Sequence, residues 1–170
     1  MRFTFLFVSL IILVLAQISL RAIGINFPLL PLLIFYAAYV YGPGFGFGVA
    51  VSAAFLLDFN CGWEHPWSLT GFILVVCFAL FWLHKIESDS LVLLAVPGFL
   101  IPIAGELPQN IMAGDLSVSN FFISCADALA NGILGAVTFP FWIILFDYLS
   151  KKLGLSTYSE SKERIKKEKN

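Results

Sequence analysis

Charged residues are scarce in this chain of 170 residues. They make up 12% of the sequence, against 59% hydrophobic residues and a mean hydropathy of +0.91. A water-soluble domain needs polar side chains to cover its surface and is usually about 45–50% apolar. Here most of the charge is confined to the tail over residues 151–170 and to a few short interruptions. The composition therefore argues against a soluble globule and predicts that lipid surrounds most of the chain.

The chain also lacks the usual signs of nucleic-acid binding, metal binding and catalysis. Its net charge of −1 offers no basic field for nucleic acid. Three scattered cysteines, Cys61, Cys77 and Cys125, do not form a disulfide framework or a zinc knuckle by their spacing. No P-loop, HExxH or GxSxG motif occurs. We predict a protein that is not an enzyme, holds no cofactor or metal and has no favoured small-molecule substrate.

Long apolar runs, by contrast, fill the sequence and predict an all-α membrane bundle of about six transmembrane helices. The runs cover residues 3–20, 27–41, 44–58, 68–83, 91–112 and 120–149. Because a bilayer core about 30 Å thick needs about 20 helical residues, the first, fifth and sixth runs are comfortable spans. The second and third are short, so they form either two full spans or a partly re-entrant pair. We predict one transmembrane domain over residues 1–150.

Lysine and arginine are divided unevenly between the two sides of this bundle. With six spans, nine of these residues fall on the side that holds both termini, and Arg21 alone falls on the other. Lys151 and Lys152 directly follow the last span. The positive-inside rule then predicts a multi-pass protein of the plasma membrane with both termini cytoplasmic. The charged tail over residues 151–170 either fixes this topology as a solvated end or binds anionic phospholipid.

Three acidic residues fall in the outer half of the predicted spans, namely Asp58, Glu106 and Asp127. A charged group at the bilayer centre costs roughly 2.5–3.5 kcal/mol on insertion scales, so such groups are usually turned inward, paired or hydrated. The expected hydrogen-bond companions are Gln109, Asn110 and Asn131. We predict a polar interior or a polar seam for another protein's helix. The alternatives are acids that reach the interface, and an acid pair or proton relay.

Four possible metal ligands follow the third run, namely Asp58, Cys61, Glu64 and His65. Their spacing fits no zinc signature. Trp63 and Trp67 flank the segment, as aromatic residues do at a membrane–water boundary. We therefore interpret the segment as the point where the chain leaves the membrane.

Small residues recur every four positions on two predicted helices. The rows are Gly44 and Gly48; Gly46, Ala50 and Ala54; and Ala128, Gly132 and Ala136. Such ridges let helix backbones approach closely in lipid, where dispersion contacts replace the hydrophobic drive. They predict either packing within this chain or docking of a partner's helix.

The order of these features resembles the MreD family of rod-shape-determining membrane proteins of bacteria, along nearly the whole chain. The segments "FPLLPLLIFYAAYVY", "GPGFGFG" and "LLDFNCG" match the family's first half and place Asp58 on its acidic position. The last helix, "ALANGILGAVTFPFWIILFDYLSKKLG", places Asn131 and Pro140 on the family's Asn and Pro. Leu29 stands where the family often has an acidic or polar residue, and Glu106 has no counterpart.

The resemblance implies a non-enzymatic scaffold of the cell-elongation machinery in the bacterial inner membrane. It implies an MreC-like partner, coupling of MreB filaments to peptidoglycan synthases, and a fold similar to the substrate-binding components of energy-coupling-factor vitamin transporters. That kinship supplies an alternative function, a membrane substrate-binding component of a vitamin transporter. Such a component carries an AxxxA ridge on its first helix, which "FTFLFVSLIILVLAQISLRA" lacks. The sequence therefore favours the scaffold.

Overall fold

The computed structural model describes residues 1–23, 27–62, 67–85, 94–113 and 118–169. Within these ranges the chain forms seven α-helices and no strand. The helices are α1 (Arg2–Ala22), α2 (Leu29–Tyr41), α3 (Pro43–Asn60), α4 (Trp67–Lys85), α5 (Ala95–Ala113), α6 (Val118–Lys152) and α7 (Tyr158–Lys169). The predicted all-α fold class is confirmed.

Three of the helices are long and apolar enough to cross a membrane, namely α1, α3 and the part of α6 from Ser119 to Lys152. The protein is therefore a membrane protein, as its composition predicts. The third run proves longer than expected because α3 continues to Asn60. The fifth run corresponds to α5, which reaches Ala113, while residues 91–93 at the start of the predicted run lie outside the described residues.

The short helix α2 forms the centre of the bundle. Its residues from Leu29 to Val40 are all buried, and it contacts each of the other six helices. A helix that is apolar on every side is stable only when it is enclosed. At 13 residues, α2 is about 20 Å long. Its neighbours shield it from lipid, so it does not need the full length of an independent span.

The two ends of the bundle differ in chemistry. At the basic end, α1 and α3 begin while α2 and α6 finish, and the Tyr36 and Tyr41 hydroxyls of α2 lie 3.1 and 3.2 Å from Ser150 Oγ of α6. At the acidic end, α3 finishes and α4 begins, and Asp58 contacts Ser68 there. Glu106 of α5 contacts Asn131 of α6 at this same end. The first six helices therefore run alternately between the two ends.

Glycines set the closest helix crossings. A methyl group at Gly71 of α4 would collide with the carbonyl oxygen of Gly105 on α5, and one at Gly135 of α6 would collide with the carbonyl oxygen of Gly98 on α5. Pro102 has no N–H to bond that Gly98 carbonyl four residues earlier. The absence of a side chain thus allows α4, α5 and α6 to pack backbone against backbone.

Candidate functional site

Side chains from neighbouring helices cap the beginnings of three helices. Gln17 of α1 is buried, and its Oε1 accepts the backbone N–H of Leu30 in the first turn of α2 at 3.0 Å. Asp58 does the same for α4, and Asp147 for α7. The first N–H groups of a helix have no partner within it, and an unsatisfied group in lipid costs several kcal/mol. These polar residues therefore join helices together.

Asp58 connects α3 to α4. It is 3% exposed, its Oδ1 accepts the Ser68 hydroxyl at 2.5 Å and its Oδ2 accepts the Ser68 backbone N–H at 3.1 Å. A carboxylate at a helix N-terminus is also favoured by the helix dipole. Arg21 of α1 lies close enough to attract the Asp58 charge, and its Nη1 is 3.8 Å from Cys61 Sγ. The sequence predicts a polar role for Asp58, and the structure gives it a partner within the chain.

Glu106 and Asn131 join α5 to α6. Asn131 Nδ2 donates to Glu106 Oε2 at 2.5 Å, and the two residues are 5% and 6% exposed. Arg21 and Asp127 both interact electrostatically with Glu106. Asn131 is one of the companions expected from the sequence, whereas the Gln109 and Asn110 side chains lie outside the described part of the chain. The acidic end therefore brings Asp58 and Glu106 within electrostatic reach of Arg21 and pairs Glu106 with Asn131.

Asp127 has a different environment from the other two acids. It is exposed on α6 and lies 24 residues before Lys151, which is about 36 Å along a helix axis. That separation exceeds a hydrocarbon core of about 30 Å. If Lys151 marks one membrane surface, Asp127 reaches the opposite interface, where its charge remains hydrated. Pro140 lies between them inside α6 and leaves the Ala136 carbonyl without its helical donor.

The basic end holds a hydrogen-bond network that the sequence does not predict. Asp147 Oδ1 of α6 accepts the Tyr36 hydroxyl at 3.0 Å and the Tyr158 backbone N–H at 2.7 Å. Its Oδ2 accepts the Ser159 N–H and hydroxyl at 3.4 and 3.3 Å. Tyr36 also bonds Ser150, and both are fully buried. A single carboxylate therefore links the central helix, α6 and the tail.

The charged tail is folded back onto the bundle as α7. Thr157 and Glu160 bond each other's backbone N–H groups at 3.2 Å, which is a capping box. The Tyr158 ring stacks on Tyr39 at 4.3 Å, and the Ser161 hydroxyl donates to the Val40 carbonyl at 3.3 Å. The capping box was readable in "TYSE". Its docking partner was not, because it depends on tertiary contacts.

The small-residue rows have different neighbours. On α6, Ala128 and Gly132 are buried, and a methyl group at Gly132 would lie 3.0 Å from the Phe99 carbonyl oxygen of α5. On α3, a methyl at Gly46 would collide with Ala38 of α2, whereas one at Gly44 or Gly48 would meet nothing within 4 Å. Ala136, half-buried, also lies at the α5 crossing, close to Gly98, while Ala50 and Ala54 are fully buried.

The row of Gly44 and Gly48 forms the floor of a groove between α1 and α3, in the half of the bundle near the basic end. Its volume is about 370 Å³. Its lining is Phe3, Leu6, Phe7 and Leu10 from α1, with Gly44, Phe45, Gly48, Val49 and Ser52 from α3. We call it the α1–α3 groove. It is apolar and is not filled by any part of the chain that the structure describes.

A metal site finds no support among the described residues, where no three His, Cys, Asp or Glu side chains come together. Trp63, Glu64 and His65 lie outside the described ranges, and the cysteines are free thiols. No family model, curated protein or solved structure matches the chain.

Proposed function

We propose that this protein is a non-enzymatic membrane scaffold of the bacterial cell-elongation machinery, with six spans and both termini in the cytoplasm. The proposal follows from the resemblance to the MreD family. The protein would bind a helix of an MreC-like partner, and the complex would couple MreB filaments to peptidoglycan synthases. The observation that carries the proposal is the unfilled α1–α3 groove with its floor of small residues.

The contrast between two faces of α3 supports a helix as the occupant of this groove. The row through Gly46 packs against Ala38 of α2, so that row is used within the chain. The parallel row of Gly44 and Gly48 has the same spacing but no neighbour. A four-residue repeat of small side chains matches the ridge of an incoming helix, and close backbone approach is a main source of association energy in lipid.

The vitamin-transporter alternative receives less support from the acidic residues. Such a component would direct Asp58 and Glu106 toward a ligand cavity that opens outward. Instead each carboxylate accepts a hydrogen bond from this chain, Asp58 from Ser68 and Glu106 from Asn131. The α1–α3 groove lies toward the opposite end of the bundle from these acids. Their arrangement favours a packed scaffold.

Co-purification with an MreC-like protein tests the proposal. Gly48→Ile places a bulky side chain in the groove, at a position where an added Cβ meets no atom within 4 Å, and should abolish recovery of the partner. Ala130→Ile is the matched control, because Ala130 is exposed on α6, away from the groove. This control should retain the partner.

Two results would contradict the proposal. One is equal recovery of the partner by Gly48→Ile and by the wild-type chain, which would remove the groove from the interface. The other is co-purification with a vitamin or a transport ATPase in place of an MreC-like protein, which would favour the transporter alternative.

A further inference from the structure

Exposed cations surround the basic end of the bundle. Arg2 begins α1, Lys151 and Lys152 end α6, and Arg164 lies on α7, and all four are exposed. Arg2 directly precedes the apolar part of α1, and Lys151 and Lys152 directly follow that of α6, so these three side chains lie at the depth of lipid headgroups. Arg164 is held at the same end by the docked helix α7. We call these four residues the basic rim.

Contacts within the chain bring members of the basic rim together. Arg2 interacts electrostatically with Tyr41 at the end of α2. The Tyr41 hydroxyl lies 3.2 Å from Ser150 Oγ, and Ser150 directly precedes Lys151. The first and sixth helices thus present their cations on the same end of the molecule.

Two of the acids at this end are engaged in hydrogen bonds at the start of α7. Asp147 faces the beginning of α7, where it accepts the Tyr158 and Ser159 N–H groups. Glu160 accepts the Thr157 N–H in the capping box. The partial positive charge at a helix N-terminus offsets carboxylates in this position. Glu163 is exposed on α7 and is the acid that opposes the basic rim most directly among the described side chains.

Docking of α7 holds Arg164 at this end of the bundle. A helix of 12 residues is marginal in water by itself. The Tyr39–Tyr158 stack and the bond from Ser161 to Val40 fix its first turn on α2. Arg164 lies one turn beyond Ser161, so it cannot move far from the bundle while α7 is docked.

We propose that the basic rim is a binding surface for the phosphate headgroups of anionic lipids in the leaflet at this end. Charge complementarity identifies the partner, since cations at headgroup depth attract anionic lipid by about fivefold for each Lys or Arg. The surface selects a lipid class and is separate from the α1–α3 groove.

Quenching of tryptophan fluorescence by brominated lipid tests this inference on the full chain. The protein is reconstituted in phosphatidylcholine that contains increasing fractions of brominated phosphatidylglycerol. Trp63, Trp67 and Trp82 are replaced by phenylalanine in the wild-type and variant chains alike, so that Trp142 alone reports. Trp142 on α6 is half-buried and lies about 13 Å along the helix from Lys151, so it senses lipid near the rim. Wild-type protein should show stronger quenching by the anionic lipid than by brominated phosphatidylcholine.

Variants identify the surface. The pair Lys151→Gln and Lys152→Gln should lower the preference for phosphatidylglycerol by fivefold or more, and Arg164→Gln, which changes only α7, should lower it about fivefold. Glu163→Gln is the matched control, since it alters the same surface but removes an acid. It should keep or increase the preference.

Three outcomes would overturn the inference. They are an absence of preference in the wild type, a preference unchanged in both the double variant and Arg164→Gln, and loss of the preference on addition of soluble inorganic phosphate but not of sodium chloride at the same ionic strength. The last would identify a site for free phosphate instead of a lipid surface. None of these results depends on the partner protein, so failure here is distinguishable from failure of the scaffold proposal.

Discussion

At the scale of single residues, polar side chains in this protein act mainly as connectors between helices. Gln17, Asp58 and Asp147 each satisfy the first N–H groups of another helix. Asn131 donates a hydrogen bond to the Glu106 carboxylate. The sequence identifies several of these residues, because a polar group in an apolar run needs a partner. It cannot identify capping between helices, which appears only when distant segments meet.

Asp58 provides the clearest test of a connector. Asp58→Leu removes both acceptors of Ser68 and should lower the free energy of unfolding by about 1–3 kcal/mol, because a buried donor loses its partner. Asp127→Leu is the control, since Asp127 is exposed on α6 and its replacement should change little. Thermal unfolding in detergent measures both. A variant at Asp58 as stable as the wild type would show that the cap contributes nothing.

Glycine substitutions separate crowded from open positions. Gly71→Ala and Gly135→Ala should each destabilise the bundle, because the added methyl collides with a carbonyl oxygen of α5. Gly48→Ala should be neutral or stabilising by up to about 1 kcal/mol, since alanine is the better helix former and no atom lies within 4 Å. Melting temperatures in one detergent compare the three. Equal effects at all three positions would contradict these close crossings.

At the scale of elements, the sequence predicts most helices but not how their faces are used. The rows through Gly44 and through Gly46 have identical spacing on α3, and only the position of α2 shows which row is occupied. The tail is the other example. Its charge predicts a solvated segment, whereas Tyr158 and Ser161 dock it. Local composition does not reveal these contacts, because Tyr158 and Ser161 bind residues of α2 that lie more than 100 positions earlier in the sequence.

The docking of α7 should weaken at alkaline pH. Burial raises the pKa of the Tyr158 phenol above its ordinary value of 10.0. The neutral phenol is therefore favoured in the docked state, and its stabilisation is complete below pH 10 and is lost as pH rises above that value. The protection of the α7 amides, measured relative to their intrinsic base-catalysed exchange at each pH, should fall in this range. Tyr158→Phe removes the titrating group. If protection of the α7 amides depends on pH as strongly in this variant as in the wild type, ionisation of Tyr158 is not the cause.

At the scale of the whole molecule, hydropathy and basic residues predict a membrane protein, because lipid imposes a simple requirement on composition. They do not distinguish exposed spans from enclosed ones. The runs at 27–41 and 44–58 look equally short in the sequence, yet α2 is enclosed and α3 extends to Asn60 as a candidate span. Enclosure depends on all the other helices together, so no local window of sequence contains it.

The proposed orientation can be tested with cysteine labelling. Cys61 is exposed at the acidic end and should react with a membrane-impermeant maleimide in intact cells. Ser156→Cys, in a chain whose native cysteines are replaced by serine, should react only after the membrane is permeabilised. Ser156 lies between α6 and α7, at the basic end. The reverse pattern would place the termini outside and invert the proposed topology.

The enclosure of α2 also has a consequence for biogenesis. A segment of about 20 Å is too short to remain stably in a bilayer before its neighbours arrive. Gly42, with φ near 100°, is the single residue that separates α2 from α3. In the six-span topology proposed above, we expect the two helices to enter the membrane as one hairpin, so that insertion of α2 coincides with its packing against α3.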